Sequence, residues 1–478
     1  MNNDIVIPQA ELRLNELGLN FDCSEVGNME RFVEQHHANL QYIPEKNLWV
    51  EWTGSQWHPC DTAQVFDRAV KTAKGIYDEA RDCEKEEGKK RLTSWAFHSQ
   101  KQQKINSIIT MGSKHPDMVT HLTDFDTDPL KLNCLNGIVD LETGELISHT
   151  PSSLVMKQTS VAYKRHAKCP RFTKFLHDVF NEDKELIRYV QKAIGYTLTA
   201  KTSEQVFFLA YGTGANGKST FFETILDILG DYGRSAEFET FLSNDSNTRA
   251  LESVAKLKSI RFALASETDS RKRFSESLIK KITGEDTVTG SFLYHSSFEF
   301  RPGFKLWLLA NHLPIVQDGT HGFWRRVVVI PFARKFSKGT MDQTLRAKLL
   351  EEAEGILAWA VRGAKDWIKT IHETGGKSGL GTCKAIDDAV AIYRSDHDIF
   401  SQFIEDRLEI KVGQERAANV LYEAYVNWCE EEVGETPCSK VIFGNRLKER
   451  NIKKRRKSSG YVYIDVCLKD DEVKLAGF

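Results

Sequence analysis

Eight consecutive residues, Gly212-Thr213-Gly214-Ala215-Asn216-Gly217-Lys218-Ser219, match the pattern G-x-x-x-x-G-K-[ST], the spacing of a loop that cradles nucleotide phosphates. Its glycines allow the backbone to turn tightly and aim successive N–H groups at phosphate oxygens, and the positive end of the following helix faces the same anion. Lys218 is placed to reach the β- and γ-phosphates and the Ser219 hydroxyl to bind Mg²⁺. Gly212 to Ser219, with Thr220, are therefore the expected nucleotide contacts, and ATP or GTP with Mg²⁺ the expected cofactors. Such a loop must join a buried strand to a helix. Val206-Phe207-Phe208-Leu209-Ala210-Tyr211 is an apolar run of that kind, and Ser219 to Leu229 has helical spacing with Gly230 as a stop.

A triphosphatase also needs a carboxylate and a residue that senses the γ-phosphate. The apolar run Ile260 to Ala265 ends at Ser266-Glu267, which makes Glu267 the expected carboxylate for polarising water and completing the Mg²⁺ shell, with Asp269 as a rival for metal contact. Lys305 to Ala310 ends at Asn311, whose amide at a strand's carboxyl end could orient the water or contact the γ-phosphate. Arg325 and Arg326 precede the strand Val327 to Ile330. Arginines beside a core strand should face an anion or an acidic neighbour. In a ring, one of them could reach the next subunit's nucleotide, and an internal salt bridge is the alternative for each.

The composition is that of a globular chain: 478 residues, 41% hydrophobic, 28% charged, net charge −2. Nine scattered cysteines without a C-x-x-C pair indicate neither a disulfide framework nor a zinc module, and a reducing cytosol is expected. No apolar run is long enough to span a membrane, and no secretory leader is evident. Positive charge gathers near the C-terminus, where Lys440, Arg446, Lys448, Arg450 and Lys453 to Lys457 stand against Glu449. Helical patterns over Ile399–Leu408, Ala417–Glu432 and Lys440–Arg450 precede strand patterns at Ile452–Arg456 and Tyr461–Val466, an order that describes a winged-helix module. Arg446, Lys448, Lys453, Lys454, Arg455 and Arg456 are its expected nucleic-acid contacts. Near the N-terminus, Leu48 to Trp57 reads as a small hairpin whose tryptophans are either core or base-stacking, and Val65 to Lys90 as one long helix.

The phosphate loop, Ala265-Ser266-Glu267, Gly284-Glu285-Asp286 with the hairpin after it, Ala310-Asn311-His312-Leu313-Pro314 and Trp324-Arg325-Arg326 stand in one order. Together they resemble superfamily III helicases, above all the phage and plasmid primase-helicase family related to the poxvirus primase-helicase. Upstream, Leu132 to Leu141 and Thr143-Gly144-Glu145-Leu146 resemble the domain that precedes the helicase in that family. The resemblance implies an ATP-driven hexameric ring that translocates on single-stranded DNA, 3′ to 5′, with a hairpin from each subunit lining the channel. Here that hairpin runs from Val288 to Phe300 with Tyr294-His295-Ser296-Ser297 at its tip, and Lys280, Lys281 and His295 are the expected DNA contacts. Larger members carry a primase, which needs clustered carboxylates for two metals. The dense cluster Asp124-Phe125-Asp126-Thr127-Asp128 reads as a loop, so a helicase without its own primase is expected.

The expected fold is α/β: an AAA+-like P-loop ATPase core at 201–372, a mainly helical N-terminal region comprising a mixed unit at 1–115 and a helicase-associated domain at 116–200, and a winged-helix module at 373–478. The expected activity is ATP-dependent unwinding of single-stranded or forked DNA in replication of a phage, satellite or plasmid, as a homo-hexamer in the host cytoplasm with a separate primase or initiator. The alternative is a DNA-binding ATPase that initiates replication or melts an origin without processive unwinding.

Overall fold

The computed structural model describes residues 14–243, 252–267, 273–290, 298–314, 316, 321–337, 342–396, 399–433, 437–450, 452–458 and 460–469; Asp269 and the expected hairpin tip with His295 lie outside them. The N-terminal unit contains α1 (Glu25–His36), β1 (Leu40–Ile43), β2 (Leu48–Trp52), β3 (Trp57–Pro59), α2 (Thr62–Asp82), α3 (Glu86–Ser99) and α4 (Gln102–Gly112). The hairpin is present, with Trp52 opposite Trp57, and β1 adds a third antiparallel strand. Trp49 and Trp57 are buried in the cores around this sheet, which answers the choice between packing and base stacking for those two. Asp61 starts α2 with a capping box closed by Gln64. The single long helix expected to Lys90 is instead two. Cys83 is extended, and Gly88 of α3 lies so close to the Leu17 carbonyl oxygen that a Cβ there would stand 2.1 Å away, a contact that a straight continuation could not make.

β4 (Lys131–Cys134), β5 (Gly137–Asp140) and β6 (Leu146–Ile147) form an antiparallel meander. Ahead of it, Asp124 accepts from the His121 N–H (2.9 Å), Asp126 from the Met156 N–H (3.2 Å) and Asp128 from the Leu130 N–H (2.9 Å). Each carboxylate fixes backbone, so the cluster is a structural loop. Then come α5 (Pro170–Val179), begun by proline at its first turn, and α6 (Lys184–Leu198), capped by Asp183.

The central sheet is built from β7 (Phe207–Tyr211), followed by α7 (Lys218–Leu229), β8 (Gly233–Glu237), β9 (Phe262–Ser266), α8 (Glu276–Thr283), the hairpin β10 (Val288–Gly290) and β11 (Phe298–Phe300), β12 (Lys305–Ala310), α9 (His321–Trp324) and β13 (Val327–Pro331). The five sheet strands are parallel in the order β13-β7-β12-β9-β8, so all their carboxyl ends share one edge. A parallel sheet must be covered on both faces, and alternation along the strands does this. Phe208, Trp307 and Val328 enter one core with Phe222 and Trp359, while Phe207, Leu308 and Val329 enter the other with Ile279 and Phe323.

α10 (Leu345–Leu350) and α11 (Ala353–Glu373) return along the first face. α6 and α11 cross at glycines: a Cβ on Gly195 would come within 2.0 Å of the Ala364 N, and one on Gly363 within 2.0 Å of the Gln191 carbonyl oxygen. The glycine-rich segment after α11 is pinned at one end, because Glu204 accepts from Ser378 Oγ (2.6 Å), the Gly379 N–H (2.7 Å) and Trp367 Nε1 (2.7 Å). α12 (Lys384–Asp396) packs against the central sheet, with the Tyr393 hydroxyl donating to the Pro314 carbonyl. A separate core begins at Phe400 and is built by α13 (Ile399–Arg407), β14 (Leu408–Ala417), α14 (Ala418–Asn427), α15 (Lys440–Glu449) and β16 (Gly460–Leu468), with β15 (Lys454–Lys457), exposed along its length, paired to β16. The three helices and the last two strands are near their expected places; β14, invisible in the sequence, completes a sheet in the order β14-β16-β15. Among the described residues no helix is long and apolar enough to cross a membrane.

The helix crossing gives the first prediction. Gly195→Ala forces the two backbones apart and should destabilise the protein by about 2 kcal/mol or more, read as a lower midpoint in thermal unfolding, whereas an unchanged midpoint would mean that the crossing tolerates a side chain.

Candidate nucleotide site

The loop from Gly212 to Gly217 joins the carboxyl end of β7 to the start of α7. Gly214 and Gly217 have φ of 88° and 85°, and Ala215 shares the left-handed region at 50°, a conformation that costs a residue with a Cβ about 1 kcal/mol or more. Ala215 is held there by the Phe336 N–H donating to its carbonyl at 2.8 Å. Close packing fixes the other glycines: a Cβ on Gly212 would meet the Phe332 carbonyl oxygen at 2.4 Å, and one on Gly217 the Val179 side chain at 2.8 Å. Asn216 braces the turn from within, accepting from the Lys218 N–H (3.3 Å) and donating to the Phe332 carbonyl (3.4 Å).

Three of the expected residues converge. Lys218 is 5% exposed, and its ammonium donates to the Gly212 carbonyl and to Asn311 Oδ1 (3.1 Å). Asn311 ends β12, the strand between β7 and β9, and its N–H donates to Glu267 Oε2 at 2.6 Å, joined by the His312 N–H at 3.0 Å. Glu267 ends β9, so a continuous line runs from Lys218 through Asn311 to Glu267 across three neighbouring strand ends. Burial pulls the Lys218 ammonium down to about 8, with Glu267 opposing the shift. A buried cation lowered by desolvation and held by neutral oxygens is suited to an anionic ligand. Ser219 is exposed and Thr220 half-buried at the mouth of the same cleft, while Thr213, exposed, and Gly212, buried, are not part of its lining.

The cleft measures about 800 Å³, and its far wall was not read from the sequence. That wall is Arg171, Lys174 and Phe175 from α5, with Phe336, Asp342 and Lys348 from the segment after β13. Glu352 joins the two halves by accepting from the N–H groups of Arg171 (3.1 Å) and Phe172 (3.0 Å) at the start of α5. The carboxyl of Asp342 falls to about 2 because Lys348 and Thr344 hydrogen-bond to it. The signal for these residues was weak: Arg171 and Lys174 share a helix face only by their i, i+3 spacing.

Arg325 and Arg326 do not join this line. They precede β13, whose first residue Val327 pairs with Phe207, and so lie at the edge of the sheet opposite to the loop. Their expected acidic partners are also replaced by neutral oxygens: Arg325 donates to Gln205 Oε1 (2.7 Å) and Arg326 to the Gly322 carbonyl. Burial, and secondarily Arg325, lower the Arg326 pKa, and its Nε is buried without a partner in the described structure. Among the expected DNA contacts, Lys280 lies 3.8 Å from Glu276 on α8 and Lys281 is exposed. Arg455 is held in an ion pair with Glu415 rather than presented alone, while Lys454 stands 4.5 Å over the Tyr461 ring and Arg446 5.7 Å over Phe400. Lys448, Lys453 and Arg456 are exposed.

With this geometry in view, two family profiles match the chain: one described as D5 N terminal like, over residues 29–181, and a family of unknown function (DUF5906), over residues 210–326. Curated relatives include "Putative helicase L207/L206" of Acanthamoeba polyphaga mimivirus, 26% identical over 65% of this chain and 33% of that protein, and "Putative helicase 022R" of Frog virus 3, 25% identical over 53% and 27%. A third is "Putative primase C962R" of African swine fever virus, 21% identical over 63% and 33%. The chain thus spans about a third of the length of the curated relatives it matches. Among solved structures, the apo C-terminal region of NrS-1 aligns with a TM-score of 0.45 at 12% identity, over 92% of this chain and 99% of that one.

The charge state of Lys218 gives the second prediction. An anion binds the protonated amine, so affinity for inorganic tripolyphosphate or a nucleoside triphosphate should be full from just above the phosphate ionisation near about pH 6 to about pH 8 and weaken by up to about tenfold per pH unit above it. Calorimetric titrations should show this, and Lys218→Arg should flatten the profile.

Proposed function

We propose, for a chain related to the phage and viral primase-helicases, that it is the ATP-driven motor part of a replicative DNA helicase. The observation that carries this reading is the line Lys218–Asn311–Glu267 beside the glycine loop. Counted within the core, the strand order is 5-1-4-3-2: the loop follows strand 1, Glu267 ends strand 3 and Asn311 ends strand 4 between them. That order supports the AAA+-like P-loop reading. Lys218 would neutralise the β- and γ-phosphates, and Asn311 would contact the γ-phosphate or the attacking water, which Glu267 would polarise. Ser219 and Glu267 supply the hard oxygen donors that Mg²⁺ takes, an ion that completes its shell from nucleotide phosphates and water.

The position of Arg325 and Arg326 supports ring formation, since only a neighbouring subunit could bring them to a nucleotide at the opposite edge of the sheet. In a hexamer the β10–β11 hairpin and Lys281 would face the DNA, and the helix–strand order from Ile399 to Leu468 supports a winged-helix module that grips the DNA backbone through Lys453, Lys454 and Arg456. Translocation from 3′ to 5′, a separate primase or initiator, and action in the host cytoplasm complete the proposal.

ATP hydrolysis and unwinding of a forked duplex with a 3′ or a 5′ tail test it. Lys218→Ala should lower hydrolysis by roughly 100-fold or more and abolish unwinding without changing the circular dichroism spectrum; hydrolysis at the wild-type rate would sink the assignment. Arg326→Ala should retain nucleotide binding and lose hydrolysis in the assembled ring, whereas lost binding would place the arginine in cis. DNA-stimulated hydrolysis without unwinding from either tail would favour an origin-melting initiator.

A further inference from the structure

A second cleft, about 980 Å³ in volume, opens on the other side of α5, between the β5–β6 turn, the segment 163–169 and α11. Its lining is strongly cationic in a chain whose net charge is −2. Arg165 and Lys168 come from the segment before α5, Lys174 from α5, and Arg362 and Lys365 from one face of α11 at i, i+3 spacing. Glu182 is the acidic residue of the lining, and its carboxylate is already taken by His177 Nδ1 at 2.5 Å. Lys365 donates to the Thr143 carbonyl (2.7 Å), which anchors the β5–β6 turn to α11 and fixes that wall. Arg165, Lys168, Lys174 and Arg362 are exposed at the cleft.

Gathering like charges in a concavity is unfavourable unless an anion relieves it, and a cleft of one sign focuses the field on such a ligand. Tyr163 is buried with its hydroxyl on the Gly144 carbonyl, which leaves the small His166 imidazole as the exposed ring of the lining. Five cations around a single exposed imidazole match a phosphodiester backbone read mainly independently of sequence. The cleft also meets the nucleotide cleft at Lys174, which lines both.

We propose that this cleft is a second single-stranded DNA site, which holds the phosphate backbone through Arg165, Lys168, Arg362 and Lys365 outside the hairpin and the C-terminal basic strand. It rests on the DNA-motor reading for the choice of DNA among polyanions. The cleft would guide one strand past α5 and α11, and α5 also borders the nucleotide cleft.

Fluorescence anisotropy of a labelled single-stranded oligonucleotide, bound to the full chain without nucleotide over a range of salt concentrations, tests the proposal. The double variant Arg165→Ala/Arg362→Ala should weaken binding by roughly tenfold and reduce the slope of log K against log salt by about 1.4, or about 0.7 per lost phosphate contact. The variant Lys71→Ala/Arg81→Ala, which removes two exposed cations on α2, away from this cleft, should match the wild type. Unchanged affinity and slope in the first variant would overturn the proposal. So would a change in sedimentation mass without a change in DNA affinity, which would assign the cleft to a second copy of the chain, or tripolyphosphate binding that the double variant loses while its DNA affinity stays at the wild-type value. The measurement needs no hydrolysis, so a Lys218→Ala protein that still turned over ATP would defeat the motor reading while leaving this binding result intact.

Discussion

Two buried cations hold the sheet to everything before it. Arg261, 4% exposed at the entry to β9, donates to the carbonyls of Leu198 (2.5 Å) and Lys131 (2.6 Å) and stands 4.6 Å over the Tyr232 ring. Lys305, 1% exposed at the start of β12, donates to the carbonyls of Thr199, Lys201 (3.2 Å) and Gly303 (3.2 Å) over the Tyr196 ring. Burial, and secondarily the neighbouring Arg261, press the Lys305 pKa well below its usual value. Apart from that of Gly303, just before β12, these carbonyls lie at or just after the end of α6 or begin the meander, backbone that would be costly to bury without donors. Breaking the anchor would strand both the cations and the carbonyls, so the edge of the sheet opposite to the glycine loop is tied to the meander and to α6.

From that anchored edge the strands run in parallel, and their other ends are set by register rather than by local preference. Trp307 beside Phe208 and Leu264 places Asn311 between the loop and Glu267. Stacking of Phe208 on Trp307, with ring centroids 4.1 Å apart, and the bond from Trp307 Nε1 to Thr197 Oγ1 (3.0 Å) hold that register from the core side. The positions of Lys218, Asn311 and Glu267 are therefore consequences of packing about one sheet length away.

How much of this was legible depended on whether the chemistry was local. The glycine loop, its flanking strand and helix, and the acidic and amide strand ends were readable because each is carried by a short contiguous pattern: the apolar run Phe207–Tyr211 and the breaks at Glu267 and Asn311. β14 was not readable: Leu408–Ala417 carries five charged or amide side chains in ten residues and is a strand because β16 pairs with it. The division of the expected helix at Cys83 depends on a contact with Leu17, far off in sequence. The cleft wall at Phe336 and Lys348 faces α5 only after the chain has returned across the sheet. Arginines before β13 suggested an ion pair, and the structure supplies the Gly322 carbonyl and the Gln205 amide oxygen instead.

The internal partners of Lys218 have a thermodynamic consequence. With the Gly212 carbonyl and Asn311 Oδ1 already accepting from its ammonium, an entering anion exchanges contacts rather than adding them. The net gain is the difference between a full charge and two dipoles at the same distance. In the proposed motor a ligand with a single weak anionic group would thereby be discounted, while one that presents several phosphate oxygens at once would outcompete both. In that role the loop would carry its own filter for ligand charge.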